Sequence, residues 1–219
     1  MKTVPGGFFI TVEGIDGCGK TTQSAILTEY LKGRGLEVTH TREPGGTAIG
    51  NKIRAILLDP ANTAITGLTE LMLYSADRAQ HMNEMIEPVL ESGGVVVCDR
   101  FTDATAAYQG YARGLHLKTI DMLSAIATGG RKPDITLVLD LPVEKALARA
   151  RQRNHDNDAA SEARFEEESI DFHGRVRQGY LNIAAGEPGR VKVVHAGGGI
   201  EEIQAALREA VDRSLGERL

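Results

Sequence analysis

The sequence predicts an α/β fold in which a five-stranded parallel sheet is flanked by helices. Five strand candidates, four of them short and rich in valine, isoleucine and leucine, alternate with longer segments of helical character. This alternation is typical of parallel sheets built from βαβ units. The first strand also leads into a glycine-rich loop followed by a helix, the order found around phosphate-binding loops.

The strands are recognised as apolar runs and the helices as longer segments with apolar residues at helical spacing. The strand candidates are residues 8–12, 37–40, 95–98, 135–139 and 191–194. The helix candidates are residues 20–33, 47–58, 67–91, 116–128, 142–152, 164–185 and 199–215. The last helix has an apolar stripe that favours a core-facing side over a partner-binding surface: Ile200, Ile203, Leu207, Val211 and Leu215.

The chain length favours a single domain spanning residues 1–219, since single cores commonly grow to about 250 residues before a chain divides. One stretch, residues 154–161, is polar and lies between segments rich in arginine and glutamate. Such a stretch is typical of a short lid over an active site, or equally of a solvated surface connection. The candidate lid covers about residues 150–165.

The formal net charge of −5 and the pI near 5.7 argue against a broad surface for nucleic acid or membrane. Any bound phosphate must then be held by local groups, which favours a small ligand. Cys18 and Cys98 are too few for a disulfide framework or a paired-ligand metal site. The chain has no apolar run of about 18 residues and no apolar leader at residues 1–7, so we expect a cytoplasmic protein.

Residues 14–21 fit the phosphate-binding pattern GxxxxGK[ST] and follow the first strand, which makes the match a strong one. Glycines let consecutive N–H groups converge on phosphate oxygens, Lys20 adds a positive charge, and the Thr21 hydroxyl can bind Mg²⁺. The loop therefore predicts a nucleoside triphosphate. Its candidate binding residues are Gly14, Ile15, Asp16, Gly17, Cys18, Gly19, Lys20, Thr21 and Thr22.

A second acid is expected near this loop, because ligands of parallel sheets gather at the carboxyl ends of the strands. Asp99 ends the third strand and is followed by Arg100. Asp140 also ends a strand, but Pro142 follows it and looks like the first residue of a helix, which gives Asp140 a capping role. Asp99 is therefore the favoured metal ligand.

Polar groups also follow the second strand and occur at helical spacing in two later segments. The turn at residues 41–47 can be a Pro-Gly turn with a Thr47 helix cap, while Arg42 and Arg100 can together clamp a phosphate. Tyr74 and Arg78 share a helix face and could meet a planar base, although core packing and a salt bridge are the default roles. A weaker set, for base and sugar recognition, is Thr105, Tyr108 and Gln109.

Together these motifs resemble the thymidylate kinase family over nearly the whole chain. The resemblance is carried by EGIDGCGKTT at residues 13–22, REPGGT at 42–47, YSADRA at 74–79, and DRF at 99–101 leading to AYQG at 107–110. It implies a five-stranded parallel sheet, a homodimer, and ATP-dependent phosphorylation of dTMP to dTDP, a step toward dTTP, with Mg²⁺ as cofactor.

The resemblance also implies roles for individual residues. Arg42 and Arg100 would grip the acceptor phosphate, with Pro44 in the same turn. Tyr74 would stack on thymine, Arg78 would face a base carbonyl, and Thr105 would contact the base. Tyr108 would crowd the sugar 2′ position, Asp16 would approach the acceptor sugar or the metal, and Gln109 would support the pocket.

One position departs from the pattern of some family members, which carry an arginine where this chain has Gly17. Resemblance to members with a lid arginine makes Arg153 the first candidate for the missing charge and Arg164 the second, with Lys20 and Arg100 completing the catalytic set. Arg149 and Arg151 fit a solvated helix better.

Two other functions are weighed against this one. A kinase for another phosphorylated acceptor would use the same arginines. A nucleotide-dependent switch would need a base-reading NKxD sequence, and the only similar string, at residues 51–54, lacks its acid. The long third helix has apolar residues that suit either the core or a subunit interface: Leu71, Met72, Met82, Met85 and Ile86.

Overall fold

The structure, a computed structural model, describes residues 2–157, 164–165 and 168–216. Within them, five strands form one sheet: β1 Phe8–Glu13, β2 Val38–Arg42, β3 Val95–Asp99, β4 Ile135–Asp140 and β5 Val191–His195. Their order across the sheet is β2-β3-β1-β4-β5, and every pairing is parallel. The predicted fold class is confirmed, and each strand lies within two residues of its predicted bounds.

Helices connect successive strands. They are α1 Lys20–Gly33, α2 Ala48–Leu58, α3 Gly67–His81, α4 Glu87–Glu91, α5 Thr102–Thr105, α6 Leu117–Thr128, α7 Val143–Asn157, α8 Ile170–Gly186 and α9 Ile200–Gly216. A π-helical segment, Met82–Ile86, joins α3 to α4, and a second, Ala106–Ala112, continues α5. In the described residues no helix combines the length and apolar character needed to cross a membrane.

The core lies between the sheet and the helices on its faces. Strands β1 and β3 are buried along their whole length, because each is paired on both sides. The predicted stripe of α9 is confirmed for Ile203, Leu207, Val211 and Leu215, which are buried, but Ile200 is 53% exposed and does not face the core.

The apolar residues of α3 and its continuation divide between the two roles left open by the sequence. Leu71, Met82 and Ile86 are buried in the core. Met72 is 50% exposed and points out of the molecule. One side of this long helix therefore packs on the sheet while another apolar position is left uncovered.

One helix was missed and two predicted helix boundaries are wrong. A helix through residues 102–112 was not predicted, and α8 begins at Ile170 rather than at residue 164, because the Ser169 hydroxyl accepts the Phe172 N–H at 3.1 Å and caps the helix there. Helix α7 runs to Asn157, and Pro142 precedes its first residue instead of being that residue.

Candidate active site

A cavity of about 530 Å³ opens where the carboxyl ends of β1, β2 and β3 meet. The loops that follow these three strands line it, as expected for a parallel sheet. The predicted site residues that the structure brings together along this cavity are Asp16, Gly17, Gly19, Lys20, Thr21, Thr22, Arg42, Pro44, Tyr74, Arg78, Asp99, Arg100, Thr105, Tyr108 and Gln109.

The glycine-rich loop runs from β1 into α1, so the first N–H groups of α1 face the cavity at a helix N-terminus, which suits an anion. Ile15 and Cys18 are buried, and they support the loop from behind without lining the cavity. The Lys20 ammonium donates to the Ile15 carbonyl at 2.9 Å. The lysine is thus held inside its own loop, beside the space where phosphates would lie.

Thr21 and Asp99 meet at the base of the cavity, where the Thr21 hydroxyl donates to Asp99 Oδ2 at 2.7 Å. Asp99 is 8% exposed. A hydroxyl and a carboxylate are hard oxygen ligands of the kind that Mg²⁺ takes together with water and phosphate oxygens, so these residues fit that ion. Asp140, the competing acid, forms two hydrogen bonds to Arg177, at 2.6 and 2.9 Å, and does not line the cavity.

Arg100 projects into the cavity from the end of β3. Its Nη2 donates to Asp16 Oδ1 at 2.6 Å and to the Tyr108 hydroxyl at 3.1 Å, and that hydroxyl donates to Asp16 Oδ2 at 2.9 Å. Burial alone would raise the pKa of Asp16, but the charges of Arg100 and Lys20 outweigh burial and hold this pKa well below its usual range. Asp16 is therefore an ionised acceptor at any physiological pH.

Arg78 is 1% exposed and lies at the wall of the cavity. Its Nε donates to Glu43 Oε2 at 2.8 Å, and its Nη2 donates to the Phe101 carbonyl and to the Thr105 hydroxyl, both at 3.0 Å. Arg78 thus forms the salt bridge that was the default expectation from the sequence, and its partner is Glu43. Nη1 has no partner among the described residues, so this nitrogen retains N–H groups for another acceptor.

Arg42, Tyr74 and Gln109 complete the wall. Gln109 is fixed by its side-chain amide, which donates to the buried Glu70 at 2.7 Å. The turn after Arg42 carries the predicted cap, since the Thr47 hydroxyl accepts the Gly50 N–H at 2.9 Å. The cap and the cavity-facing arginine therefore occur together.

Comparison with known proteins agrees with this geometry. The family model described as thymidylate kinase matches residues 12–207. The chain belongs to the thymidylate kinase family. It is therefore a nucleotide-binding phosphotransferase, and nothing in the comparisons supports a nucleotide-dependent switch.

Relatives match along nearly their whole length. The thymidylate kinase of Geobacter sp. strain M21 is 52% identical over 209 residues, covering 95% of this chain and 93% of the relative. That of Desulfosudis oleivorans is 52% identical over 206 residues, covering 94% and 96%. A crystal structure of thymidylate kinase from Ehrlichia chaffeensis superposes with a TM-score of 0.75 at 33% identity, covering 94% of this chain and 99% of that one.

The structure gives a physical reason for the family departure at Gly17. This residue has φ of +80°, and a Cβ atom built on it would lie 1.9 Å from the Ala146 carbonyl oxygen in α7. No side chain fits between the loop and that helix. The arginine that some members of the thymidylate kinase family carry here has no room in this arrangement.

The arginines expected to supply the charge that is missing at position 17 lie in different surroundings. The Arg153 side chain lies outside the described residues. Arg164 donates to Glu70 Oε2 at 2.6 Å and to the Leu57 carbonyl, and it does not line the cavity, which argues against the catalytic role predicted for it. Arg149, expected on a solvated face, is exposed but lines the cavity, and its Nη1 is 3.5 Å from the Ala196 carbonyl oxygen.

Several cavity-lining residues were missed by sequence reasoning: Glu43, Arg54, Leu58, Phe101, Ala104 and Phe165. Glu43 is 3% exposed and joins Arg78 to His81, whose Nδ1 lies 3.0 Å from Glu43 Oε1. Phe165 packs edge-on against Tyr108, with ring centroids 5.5 Å apart. A lone aromatic residue in an acidic, polar stretch was the available signal for Phe165, whereas Glu43 gave none beyond its place in the REPGGT turn.

Two buried carboxyls near the cavity have raised pKa values. Burial, followed by the charge of Asp103, raises the pKa of Glu13 to about 8. Burial, followed by the charge of Glu43, raises the pKa of Asp77 to about 7. Folding therefore takes up protons at these groups when the pH lies between their unfolded and folded pKa values.

This uptake predicts that the free energy of unfolding falls as the pH rises from 5.5 to 8, by up to about 1.4 kcal/mol per pH unit for each group. Glu13→Gln should remove its part of the slope up to pH 8, and Asp77→Asn only up to about pH 7. Urea unfolding at pH 5.5, 6.5, 7.5 and 8.0 measures the pH dependence of the free energy of unfolding in the parent and in both variants. Slopes equal to that of the parent in both variants would contradict the prediction.

Proposed function

We propose that this protein transfers the γ-phosphoryl group of ATP to dTMP, giving ADP and dTDP in the cytoplasm. The observation that carries the proposal is that one cavity is lined on one side by the glycine-rich loop and on another by Arg42 and Arg100. A donor triphosphate and an acceptor phosphate could thus meet in one space, as in-line phosphoryl transfer requires.

On the donor side, backbone N–H groups of residues 14–22 would hold the ATP phosphates, and Lys20 would leave the Ile15 carbonyl to bind a phosphate oxygen. Thr21 and Asp99 would hold Mg²⁺, directly or through water. The ion would neutralise charge on the phosphates. These residues bind and orient the donor, and the buried setting of Lys20 strengthens its attraction to phosphate.

On the acceptor side, the guanidinium groups of Arg42 and Arg100 would hold the dTMP phosphate in place. The second pKa of a phosphate monoester is near 6, so the attacking oxygen is mostly deprotonated at neutral pH and no general base is needed. Asp16, ionised and bonded to Arg100, orients that arginine and can accept from the acceptor sugar or from metal-bound water.

Recognition of thymine is proposed for Tyr74, Arg78 and Thr105. The Tyr74 ring would stack on the base, and Arg78 Nη1, which has no partner among the described side chains, would donate to a base carbonyl. Tyr108, held by Asp16 and Arg100, would lie against the sugar 2′ position and favour deoxyribose. Pro44 and Gln109 would close the wall.

The test is ADP release from Mg·ATP by the purified protein, with dTMP, dUMP, dCMP, dAMP or dGMP added in turn and an ATP-only control. We expect turnover with dTMP far above every other arm. Preference for another monophosphate would replace dTMP with that acceptor, and ADP release independent of any acceptor would refute the transfer reaction.

We also propose that residues 1–219 form a single domain with a lid at about 150–165. The roles of the arginines in and near this lid can be distinguished by substitution. Arg153→Ala should lower kcat by about a hundredfold with little change in KM for dTMP, as expected for an interaction formed in the transition state. Arg164→Ala should instead lower Tm, because it breaks the Glu70 contact, and leave kcat within a few-fold. Arg151→Ala is the exposed control. Full activity of Arg153→Ala would indicate that Arg149, rather than Arg153, supplies the catalytic charge.

We also propose that the protein is a homodimer. Neighbouring helices α2, α3 and α6 carry exposed apolar side chains that would be buried at such an interface. We propose that they form one apolar face, which consists of Ile49, Ile56, Leu68, Met72, Leu117, Met122 and Ile126.

The dimer proposal predicts that Met72→Glu combined with Ile126→Glu will reduce the mass in light scattering from twice 23.6 kDa to 23.6 kDa. Two charges in each copy would have to be buried without partners, which is costly. Ile200→Glu, at an exposed apolar position outside this face, is the control and should stay dimeric. A parent protein of 23.6 kDa would refute the dimer.

A further inference from the structure

Arg100 has an unusual backbone conformation. It is the one non-glycine residue with positive φ in the part of the chain that the structure describes, at 71°. This left-handed region is unfavourable for a residue with a Cβ, and it persists where the surroundings fix it. The backbone N–H of Arg100 donates to the Val12 carbonyl at 3.0 Å, and this hydrogen bond attaches the residue to β1.

Asp16 and Tyr108 bind Nη2 of this arginine, and one buried side chain, that of Glu13, is bonded to the groups on its other side. Glu13 Oε1 accepts the N–H of Phe101, the residue after Arg100, at 2.7 Å. Glu13 Oε2 accepts the Tyr180 hydroxyl at 2.8 Å, and that hydroxyl accepts from Arg100 Nη1 at 3.2 Å. One side chain thus fixes both the backbone next to Arg100 and, through Tyr180, its guanidinium group.

Glu13 has no place in the reaction described above. It is completely buried at the end of β1 and does not line the cavity. Burying a carboxyl group is costly unless hydrogen bonds compensate for lost water, and both oxygens of Glu13 are used for bonds that lead to Arg100. The packing of the core alone would be served as well by an apolar residue.

We propose that Glu13 is the positioning residue that sets the conformation of Arg100, with Tyr180 as the link to the guanidinium group. The inference rests on the proposed function, in which Arg100 binds the acceptor phosphate. Glu13 acts through Phe101 and Tyr180 and contacts no substrate. Its loss should therefore affect the acceptor side of the reaction and leave the donor side unchanged.

The test compares Glu13→Gln with Asp103→Asn in the full-length protein. Asp103 is also buried, but its carboxylate is bonded to Arg190 and Thr136 rather than to Arg100. Its loss lowers the pKa of Glu13 but leaves the hydrogen-bonding groups of Glu13, Phe101 and Tyr180 in place. Glu13→Gln should raise KM for dTMP by about tenfold to a hundredfold, because the amide nitrogen cannot accept a hydrogen bond and one of the two donors is left unpaired, and it should keep KM for Mg·ATP within about twofold. Asp103→Asn should lower Tm and keep both KM values.

Tyr180→Phe tests the link without changing the buried carboxyl group of Glu13. It should raise KM for dTMP less than Glu13→Gln does, and it should add little in the double variant, because both substitutions break the same chain of bonds. If Glu13→Gln does not fold, Tyr180→Phe alone decides the matter. Lower Tm with unchanged KM for dTMP, as in Asp103→Asn, would overturn the proposal.

A readout without substrate keeps this inference separate from the proposed function. The ¹⁵Nε resonance of Arg100, assigned by its loss in Arg100→Lys, should shift in Glu13→Gln and in Tyr180→Phe but not in Asp103→Asn. An unshifted resonance would refute the positioning role even in an active kinase. A shifted resonance in a protein that does not phosphorylate dTMP would support the positioning role while the proposed function fails.

Discussion

Replacing Lys20 with alanine should lower kcat by about a thousandfold, because a fixed and largely buried positive charge at the transferring phosphoryl group would be lost. Lys20 is 7% exposed, so its charge acts in a poorly screened setting. The substitution also removes the hydrogen bond that the Lys20 ammonium donates to the Ile15 carbonyl, which is 2.9 Å long. Single-turnover rates with dTMP and Mg·ATP would measure the effect on transfer itself.

The matched control is Lys32→Ala, which removes an exposed lysine from the same helix. Lys32 is paired with Glu29 on the surface, at 2.9 Å, so kcat and Tm should stay close to those of the parent. Arginine at position 20 keeps the charge but is longer and planar, and we expect it to recover little activity. Near-normal turnover of Lys20→Ala would show that the loop does not carry the donor.

The fold could be predicted from the sequence because its signals are local. Each strand is a short apolar run, and the loop between β1 and α1 is fixed by glycine positions within eight residues. The helix at residues 102–112 was not predicted because Thr102, Asp103 and Thr105 give no amphipathic pattern. The π-helical continuation also departs from the 3.6-residue period of an α-helix. The start of α8 depended on a single cap, Ser169.

The candidate site could be predicted only in part, because many of its groups are arranged by residues far away in the sequence. Arg78 is held by Glu43, 35 positions before it. The Tyr180 hydroxyl that contacts Arg100 donates to Glu13, 167 positions away. Such pairs leave no local pattern. Spacing could bring Arg78 to a helix face, but it could not show that a salt bridge uses Nε while Nη1 stays without a partner in the described structure.

The same limit applies to the arginines beyond α7. Arg153 and Arg164 are both cationic and both flank the polar stretch, so composition could not rank them by position. The tertiary contacts do, since Glu70 binds Arg164 together with Arg113 and Gln109, and a guanidinium held there is not directed at the glycine loop. Arg149 lines the cavity although its helix face is exposed.

Gly17→Ala should lower kcat/KM by at least about a hundredfold, because even a methyl group cannot be placed without moving the loop or α7, and displacements near 1 Å are enough for losses of this size. The added Cβ would lie 1.9 Å from the Ala146 oxygen and 3.1 Å from the Ala150 nitrogen. Both are backbone atoms, which cannot turn away as a side chain can. The positive φ of +80° adds a conformational cost.

The control for this substitution is Gly33→Ala at the end of α1, where a Cβ would meet nothing within 4 Å and the backbone is not left-handed. It should leave activity unchanged and Tm equal or slightly higher. Full activity of Gly17→Ala would mean that α7 can withdraw from the loop at no cost. The loss we expect has a wider meaning: the absence of a side chain at position 17 lets α7, the helix that carries Arg149 and Arg153, lie directly on the glycine-rich loop. With glycine here the loop cannot carry a second charge at position 17 beside that of Lys20, which favours α7 as the element that supplies it.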